Sequence, residues 1–157
     1  MQKFQLIDWY TLLVGLKHGW CNKKNLINYG EQIIGQTTNN MIDGNLAIIA
    51  SGEMLSVDEL ISVTLQFLSS HKRTMNKKSK EIAVEKWRFA HLYCLLRSGE
   101  SEQQKIDKLQ EIYAEFGYPE DMSSCSIYNK DSIDPLIAAE NVVKNLSQQL
   151  NIGSIDL

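Results

Sequence analysis

A chain of 157 residues, 43% of them hydrophobic and 22% charged, has the size of one ordinary domain and enough apolar material to bury a core. Intrinsic disorder is excluded, and neither a disulfide framework nor a structural metal is needed. The formal net charge of −3 conceals a split: residues 1–99 hold 12 Lys and Arg against 8 Asp and Glu, net +4, whereas residues 100–157 hold 4 against 11, net −7.

No stretch is rich enough in Pro, Gly or Ser to read as a linker, so a single domain over residues 1–157 is expected, with 151–157 as a frayed tail. The longest apolar runs, Thr11 to Leu16 and Leu46 to Ala50, fall far short of the roughly 20 residues that cross a bilayer. The start lacks a charged segment followed by an apolar signal core, and the expected location is cytoplasmic. Cys21, Cys94 and Cys125 are scattered and odd in number, which fits reduced thiols, each a small buried or half-buried apolar residue.

From Asp8 the pattern is helical. Trp9, Leu12, Leu13, Leu16 and Trp20 share one face, Asp8 is placed to cap the start, and Gly19 can end the helix in the left-handed conformation. Asn22 offers the next cap, with Leu26, Tyr29, Gly30 and Ile33 on one face and Gly35 as the stop. The pair reads as two packed helices, because the second carries too little basic charge to lie in a DNA groove. Residues Met41 to Ala50 fit a helix or a short buried strand; helix is preferred, since a lone strand would lack a partner.

Ser56 and Glu59 form a capping box, and the helix they start is expected to bury Leu60, Ile61, Thr64, Leu65 and Leu68. Ser79 is read as the cap of a central helix whose apolar positions, Ala83, Trp87, Phe89, Ala90, Leu92, Tyr93, Cys94 and Leu96, cover more than one side. Gly99 ends it. Ser101 and Gln104 form another capping box, followed by Ile106, Leu109, Ile112, Tyr113 and Phe116 on the buried face. Gly117 and Pro119 turn the chain. Asp134 and Pro135 then start a last helix through Leu136, Ala139, Val142, Val143, Leu146 and Leu150, with a stop near Gly153. The expected fold is all-α: a compact bundle of about six to seven helices joined by short loops.

The residues that catalysis needs are not assembled by any motif. His18, His71 and His91 lie in three segments, and His-Glu-x-x-His, Cys-x-x-Cys, Walker-type and Gly-x-Ser-x-Gly patterns are missing. His91 and Cys94 stand at helical i to i+3 spacing, a geometry that more often means a core thiol beside a surface histidine. The chain is expected not to be an enzyme and to use no cofactor, metal or small-molecule ligand. Lys72, Arg73, Lys77, Lys78 and Lys80 place five positive charges in nine positions. Without interleaved aromatics or a Gly-rich turn, this run reads first as a solvated loop, and a nucleic-acid or adaptor module using loop 72–80 is the alternative.

The acidic end is better suited to a basic protein partner, which it would attract and orient, than to nucleic acid, which it would repel. Glu111 and Glu115 lie four apart on one helix face, and Glu120 and Asp121 follow past its end with no basic neighbour in sequence. Acidic groups there oppose the helix dipole, a cost compatible with a binding surface.

Ile7-Asp8-Trp9, Gly15-Leu16, Trp87, and above all Tyr113-Ala114-Glu115-Phe116-Gly117-Tyr118-Pro119-Glu120-Asp121-Met122 resemble an uncharacterised family of small helical bacterial domains. That family is similar to immunity proteins encoded beside polymorphic toxins, including contact-dependent growth inhibition systems. Its members often carry Asp where Gly117 stands, so any role of that acidic group does not carry over. The resemblance implies a protein that binds and neutralises a cognate toxin, a nuclease with a basic surface, in the manner of toxin–antitoxin pairs. Glu111, Glu115, Glu120, Asp121, Asp131 and Asp134 are the candidate partner-binding residues.

Overall fold

The computed structural model describes residues 1, 4–37, 42–129, 133–153 and 155. The fold is all-α, with seven α-helices and no strand among the described residues. They are α1 (Trp9–His18), α2 (Lys23–Gln36), α3 (Gly44–Ala50), α4 (Val57–Ser70), α5 (Lys77–Leu96), α6 (Glu102–Glu115) and α7 (Pro135–Gln149). Two 3-10 segments, Gly52–Met54 and Glu120–Cys125, lie between them.

Local chemistry starts these helices. The Asp8 carboxylate accepts from the Thr11 N–H at 2.8 Å, and Asp43 and Asp134 each accept from two amides at the starts of α3 and α7. Reciprocal boxes pair Asn22 with Asn25, Ser56 with Glu59, and Ser101 with Gln104. Helix α5 begins earlier than its sequence indicated: Asn76 is the capping residue, accepting from the Ser79 N–H at 2.8 Å, while Ser79 Oγ accepts from the Asn76 N–H at 2.9 Å.

One C-terminal device recurs. At α1, α4, α6 and α7 a residue with positive φ follows the helix: Gly19 (74°), Lys72 (56°), Gly117 (74°) and Asn151 (53°). In each case the next amide reaches back to a carbonyl five residues earlier, as Tyr118 N–H does to Tyr113 O at 2.9 Å. Asn151, not Gly153, ends α7, and Gly35 sits inside α2 instead of stopping it.

Contacts gather the chain into two compact units, residues 6–84 and residues 1–5 with 85–157, so the first turns of α5 belong to one and the rest to the other. In the unit of residues 6–84, Trp9, Leu13, Leu26, Ile49, Leu60 and Leu68 are among the buried side chains of one apolar cluster. Trp9 meets Tyr29 and Phe67 edge-on, with ring centroids 4.7 and 5.4 Å apart. Phe67 takes the buried place expected of Leu65, which is exposed, because it lies one turn beyond Thr64 and two beyond Leu60 on the inward stripe. Gly30 is needed where α2 and α3 approach closely: a Cβ there would lie 3.2 Å from Ile49 Cγ2 and 3.4 Å from the Ala50 backbone nitrogen. Lys23 Nζ reaches across to Leu55 O at 3.2 Å and so ties α2 to the segment before α4.

In the other unit the core is built from Phe89, Leu92, Leu109, Met122, Cys125, Val143 and their neighbours, drawn from α5, α6, the 3-10 segment Glu120–Cys125 and α7. Phe4 packs edge-on against Phe89 and Tyr93, at 5.3 and 4.9 Å. Of the expected inward face of α6, Leu109 alone is fully buried; Ile106, Ile112, Tyr113 and Phe116 are half-buried. Cys94 is exposed on α5, contrary to expectation, whereas Cys125 is buried and Cys21 half-buried.

Candidate functional site

Helix α6 and the corner that ends it position the acidic residues. The Tyr113 ring packs edge-on to Tyr118 at 5.1 Å, and the left-handed Gly117 and Tyr118 redirect the chain into Pro119 and the 3-10 segment. Gln110 fastens the far end of that segment, donating to Cys125 O at 3.0 Å and accepting from Ile127 N–H at 3.2 Å. The corner is therefore held at both ends.

The six acidic candidates separate by what they touch. Asp121 forms a two-pronged pair with Arg88 of α5, with oxygens 2.6 and 2.8 Å from the guanidinium nitrogens. Arg88 is only 5% exposed and also bonds Glu85. A buried cation in this position requires a carboxylate, and Asp121 supplies it. Asp134 caps α7, accepting from Leu136 N–H at 2.8 Å and Ile137 N–H at 3.2 Å. Asp131 lies outside the described residues. Glu111, Glu115 and Glu120 are exposed.

Arg88 answers the apparent lack of a basic neighbour near Glu120 and Asp121. It lies 33 positions from Asp121 in sequence, beyond the reach of any local pattern. The signal that was present is an arginine inside an otherwise apolar surface of α5, with Glu85 at i−3.

A cleft of about 490 Å³ opens between α5 and α6, entirely within the unit of residues 1–5 and 85–157. Trp87, Leu95 and Ile112 supply its apolar lining, and Glu111, Glu115 and His91 contribute polar groups. His91 Nδ1 stands 3.6 Å from Glu115 Oε2, and its ring meets Trp87 and Phe116 edge-on. Burial pushes the His91 pKa below its ordinary value of 6.5, against an upward pull from Glu115.

Cys94 also lines the cleft, so the structure brings His91 and Cys94 to one place with two of the predicted carboxylates. The other thiols are shielded: burial raises both Cys21 and Cys125 to about 11, with Asp121 adding to the rise at Cys125 and Arg88 opposing it. Lys108 of the cleft is engaged by Glu100, whose second carboxylate oxygen is buried and accepts no hydrogen bond.

The basic run lies in the unit of residues 6–84, and its five basic residues are exposed. Lys72 is the left-handed residue after α4, the Arg73 N–H bonds Leu68 O at 2.8 Å, and Lys77 pairs with Glu81 at 3.8 Å. Among the described residues no helix is long and apolar enough to cross a membrane, and no group of three or more His, Cys, Asp or Glu could hold a metal ion.

Large apolar side chains are also exposed along the stretch that follows α6. Tyr118, Ile127, Tyr128, Ile133 and Ile137 all fall there, Tyr128 at 87% exposure. Sequence reasoning did not single out Ile127, Tyr128, Ile133 or Ile137, because an irregular stretch carries no periodicity from which burial can be read and Ile137 lies off the inward positions named for α7.

A family model described as "Uncharacterized protein conserved in bacteria (DUF2247)" matches residues 1–152. No curated protein matches the chain, and no solved structure matches it.

Proposed function

The chain belongs to that bacterial family, DUF2247, and from this premise we propose that it is an immunity protein, which binds a cognate bacterial toxin and neutralises it without performing a reaction. One observation carries the reading. Between residues 111 and 137 the chain exposes three of the candidate carboxylates, Glu111, Glu115 and Glu120, and five large apolar side chains, Tyr118, Ile127, Tyr128, Ile133 and Ile137. Clustered exposed apolar residues mark interaction surfaces, and tyrosines beside charged groups are the usual anchors of protein interfaces. The surrounding negative charge selects a basic partner and speeds its capture.

The partner that fits is a nuclease toxin whose substrate-binding surface is basic, with carboxylates standing where phosphates would lie. Of the six candidate carboxylates, Glu111, Glu115 and Glu120 are the contact residues in this reading. Asp121 and Asp134 serve the fold instead, the first by holding Arg88 and the second by starting α7. The action takes place in the cytoplasm of the toxin-producing cell, where an incoming or newly made toxin would be met.

The test is co-expression with the toxin domain encoded beside the gene. The expected result is survival with the intact chain, a stable complex on purification, and an association rate that falls steeply with salt. Reversal of charge at Glu111 and Glu120, together with Tyr128→Ala, should abolish protection while leaving the circular dichroism melt in place. Survival with that triple variant would remove the surface from consideration, and failure of the intact chain to bind the toxin would remove the function.

A further inference from the structure

Lys72, Arg73, Lys77, Lys78 and Lys80 are exposed on the connection from α4 to α5 and on the opening of α5, and toxin binding gives them no task. No Asp or Glu occurs from Leu60 to Lys80 to offset them. Four cations of the other unit are engaged: Arg88 by Asp121, Lys108 by Glu100, Lys144 by Glu140, and Lys105 by the Leu96 carbonyl. In the basic run Lys77 pairs with Glu81 at 3.8 Å, and the side chains of Lys72, Arg73, Lys78 and Lys80 form no ion pair among the described residues.

The connection that carries these charges is pinned. The Arg73 N–H bonds Leu68 O at 2.8 Å, Met75 packs against the apolar cluster, and Asn76 and Ser79 bond each other's amides. Lys78 and Lys80 stand near the positive end of the α5 dipole, where a cation costs stability. Local folding gains nothing from the run, and an external polyanion would relieve its repulsion.

The chemistry of the run selects among polyanions. Protein interfaces are depleted in lysine and anchored by aromatic and apolar side chains, and Met75, the one large apolar residue from 71 to 80, packs inward. Single-stranded nucleic acid is held by stacked aromatics, and residues 71–80 contain no ring other than that of His71. Lysine is a point charge on a flexible stem, which suits duplex phosphates that present one charge per about 1.7 Å of axis and need no reading of bases. We propose that residues 72–80 form a sequence-independent docking surface for the phosphate backbone of double-stranded nucleic acid. This surface is separate from the toxin-binding one and does not depend on it.

The experiment titrates a fluorescent DNA duplex of about 20 base pairs with the full chain and follows anisotropy from about 50 to 200 mM salt. The net acidic charge of the chain keeps binding at the weak end, with a Kd on the order of 100 µM at about 150 mM salt. Three to five phosphate contacts give a slope of about −3 to −4.5 in log K against log salt, a loss of about a hundredfold or more over that range. A second duplex of unrelated sequence should bind equally. Lys72→Glu/Lys78→Glu/Lys80→Glu should weaken binding more than about tenfold, with its thermal melt at or above that of the parent because glutamate suits the start of α5. Lys78→Gln/Lys80→Gln, which only removes charge, should reduce the slope by about 2.

Absence of binding at about 50 mM salt, or a triple variant that binds as the parent does, overturns the proposal. Tighter binding to polyglutamate or to phosphatidylserine vesicles than to the duplex overturns the nucleic-acid assignment in favour of an acidic protein or a membrane. Tighter binding to the separated strands overturns the duplex. The triple variant should still bind the toxin, so failure of either reading leaves the other standing; loss of toxin binding in it would assign the run to that interface and overturn the separate surface.

Discussion

The two compact units differ in what their residues are used for. The unit of residues 6–84 has eight basic and seven acidic residues, net +1, and it buries a large apolar cluster. The unit of residues 1–5 and 85–157 has eight basic and twelve acidic residues, net −4, and it buries an arginine, opens a cleft and leaves tyrosines in water. Large apolar side chains are exposed in both units, Met54 and Ile48 among those of the first and Tyr128 and Ile137 among those of the second, so the difference lies in net charge, in the buried arginine and in the cleft. On the proposed reading, the contrast separates a scaffold from a binding surface.

Substitutions can break that contrast or sharpen it. The largest effect belongs to the apolar cluster: Leu60, fully buried on α4, should cost about 3 kcal/mol when replaced by alanine, read by urea denaturation. A cost below 1 kcal/mol would mean that this core is loosely packed and the contrast overstated.

The next tests adjacent carboxylates of the acidic unit. Asp121→Ala strips a buried guanidinium of its two-pronged partner and should cost about 2 kcal/mol, whereas Glu120→Ala should stay within about 0.5 kcal/mol. Because the Arg88 stem is itself buried, Arg88→Met in the Asp121→Ala background should recover much of the loss. Equal effects at positions 120 and 121 would erase the distinction between internal and outward-facing charge.

A gain is expected in the scaffold. Lys72 holds a left-handed conformation that glycine adopts without strain, so Lys72→Gly should raise stability by about 1 kcal/mol. A thermal melt that moved down instead would show that the lysine side chain makes a contact worth more than the backbone strain.

The smallest effect is a pH dependence in the cleft. Burial lowers the His91 pKa below 6.5, so the unfolded chain takes up a proton before the folded one does. The stability contributed by the neutral ring is present above pH 6.5 and is lost as pH falls through the folded value. His91→Gln should flatten the stability profile in that window and leave it unchanged above pH 7. An unaltered slope would place the acid sensitivity elsewhere.

Much of the architecture was legible because helix starts are local events. Asp8, Asn22, Ser56, Ser101 and Asp134 each cap a helix from within three residues of the amide they satisfy, so the instruction and its effect lie in one short window. Errors arose where two local solutions compete. Asn76 and Ser79 bond each other reciprocally, and sequence alone does not say which is the cap. Gly35 carries no left-handed backbone and stays helical, while Asn151 takes the conformation that Gly153 was expected to take.

The candidate site was only half legible. Spacing placed Glu111 and Glu115 on one face of α6, and they do share a cleft. Their distinction from Asp121 depends on Arg88, and the cleft depends on residues of α5 that lie some twenty positions earlier. The sequence by itself determined the all-α class, the main helix starts and the concentration of acid toward the C-terminal end, because each follows from propensity, capping or composition. Which carboxylates face water, which one neutralises a buried cation, and where α5 and α6 part to leave a cavity were decided by tertiary structure alone. The reason is physical: charge pairing and burial depend on distance through space, and between residues 88 and 121 sequence separation says nothing about it.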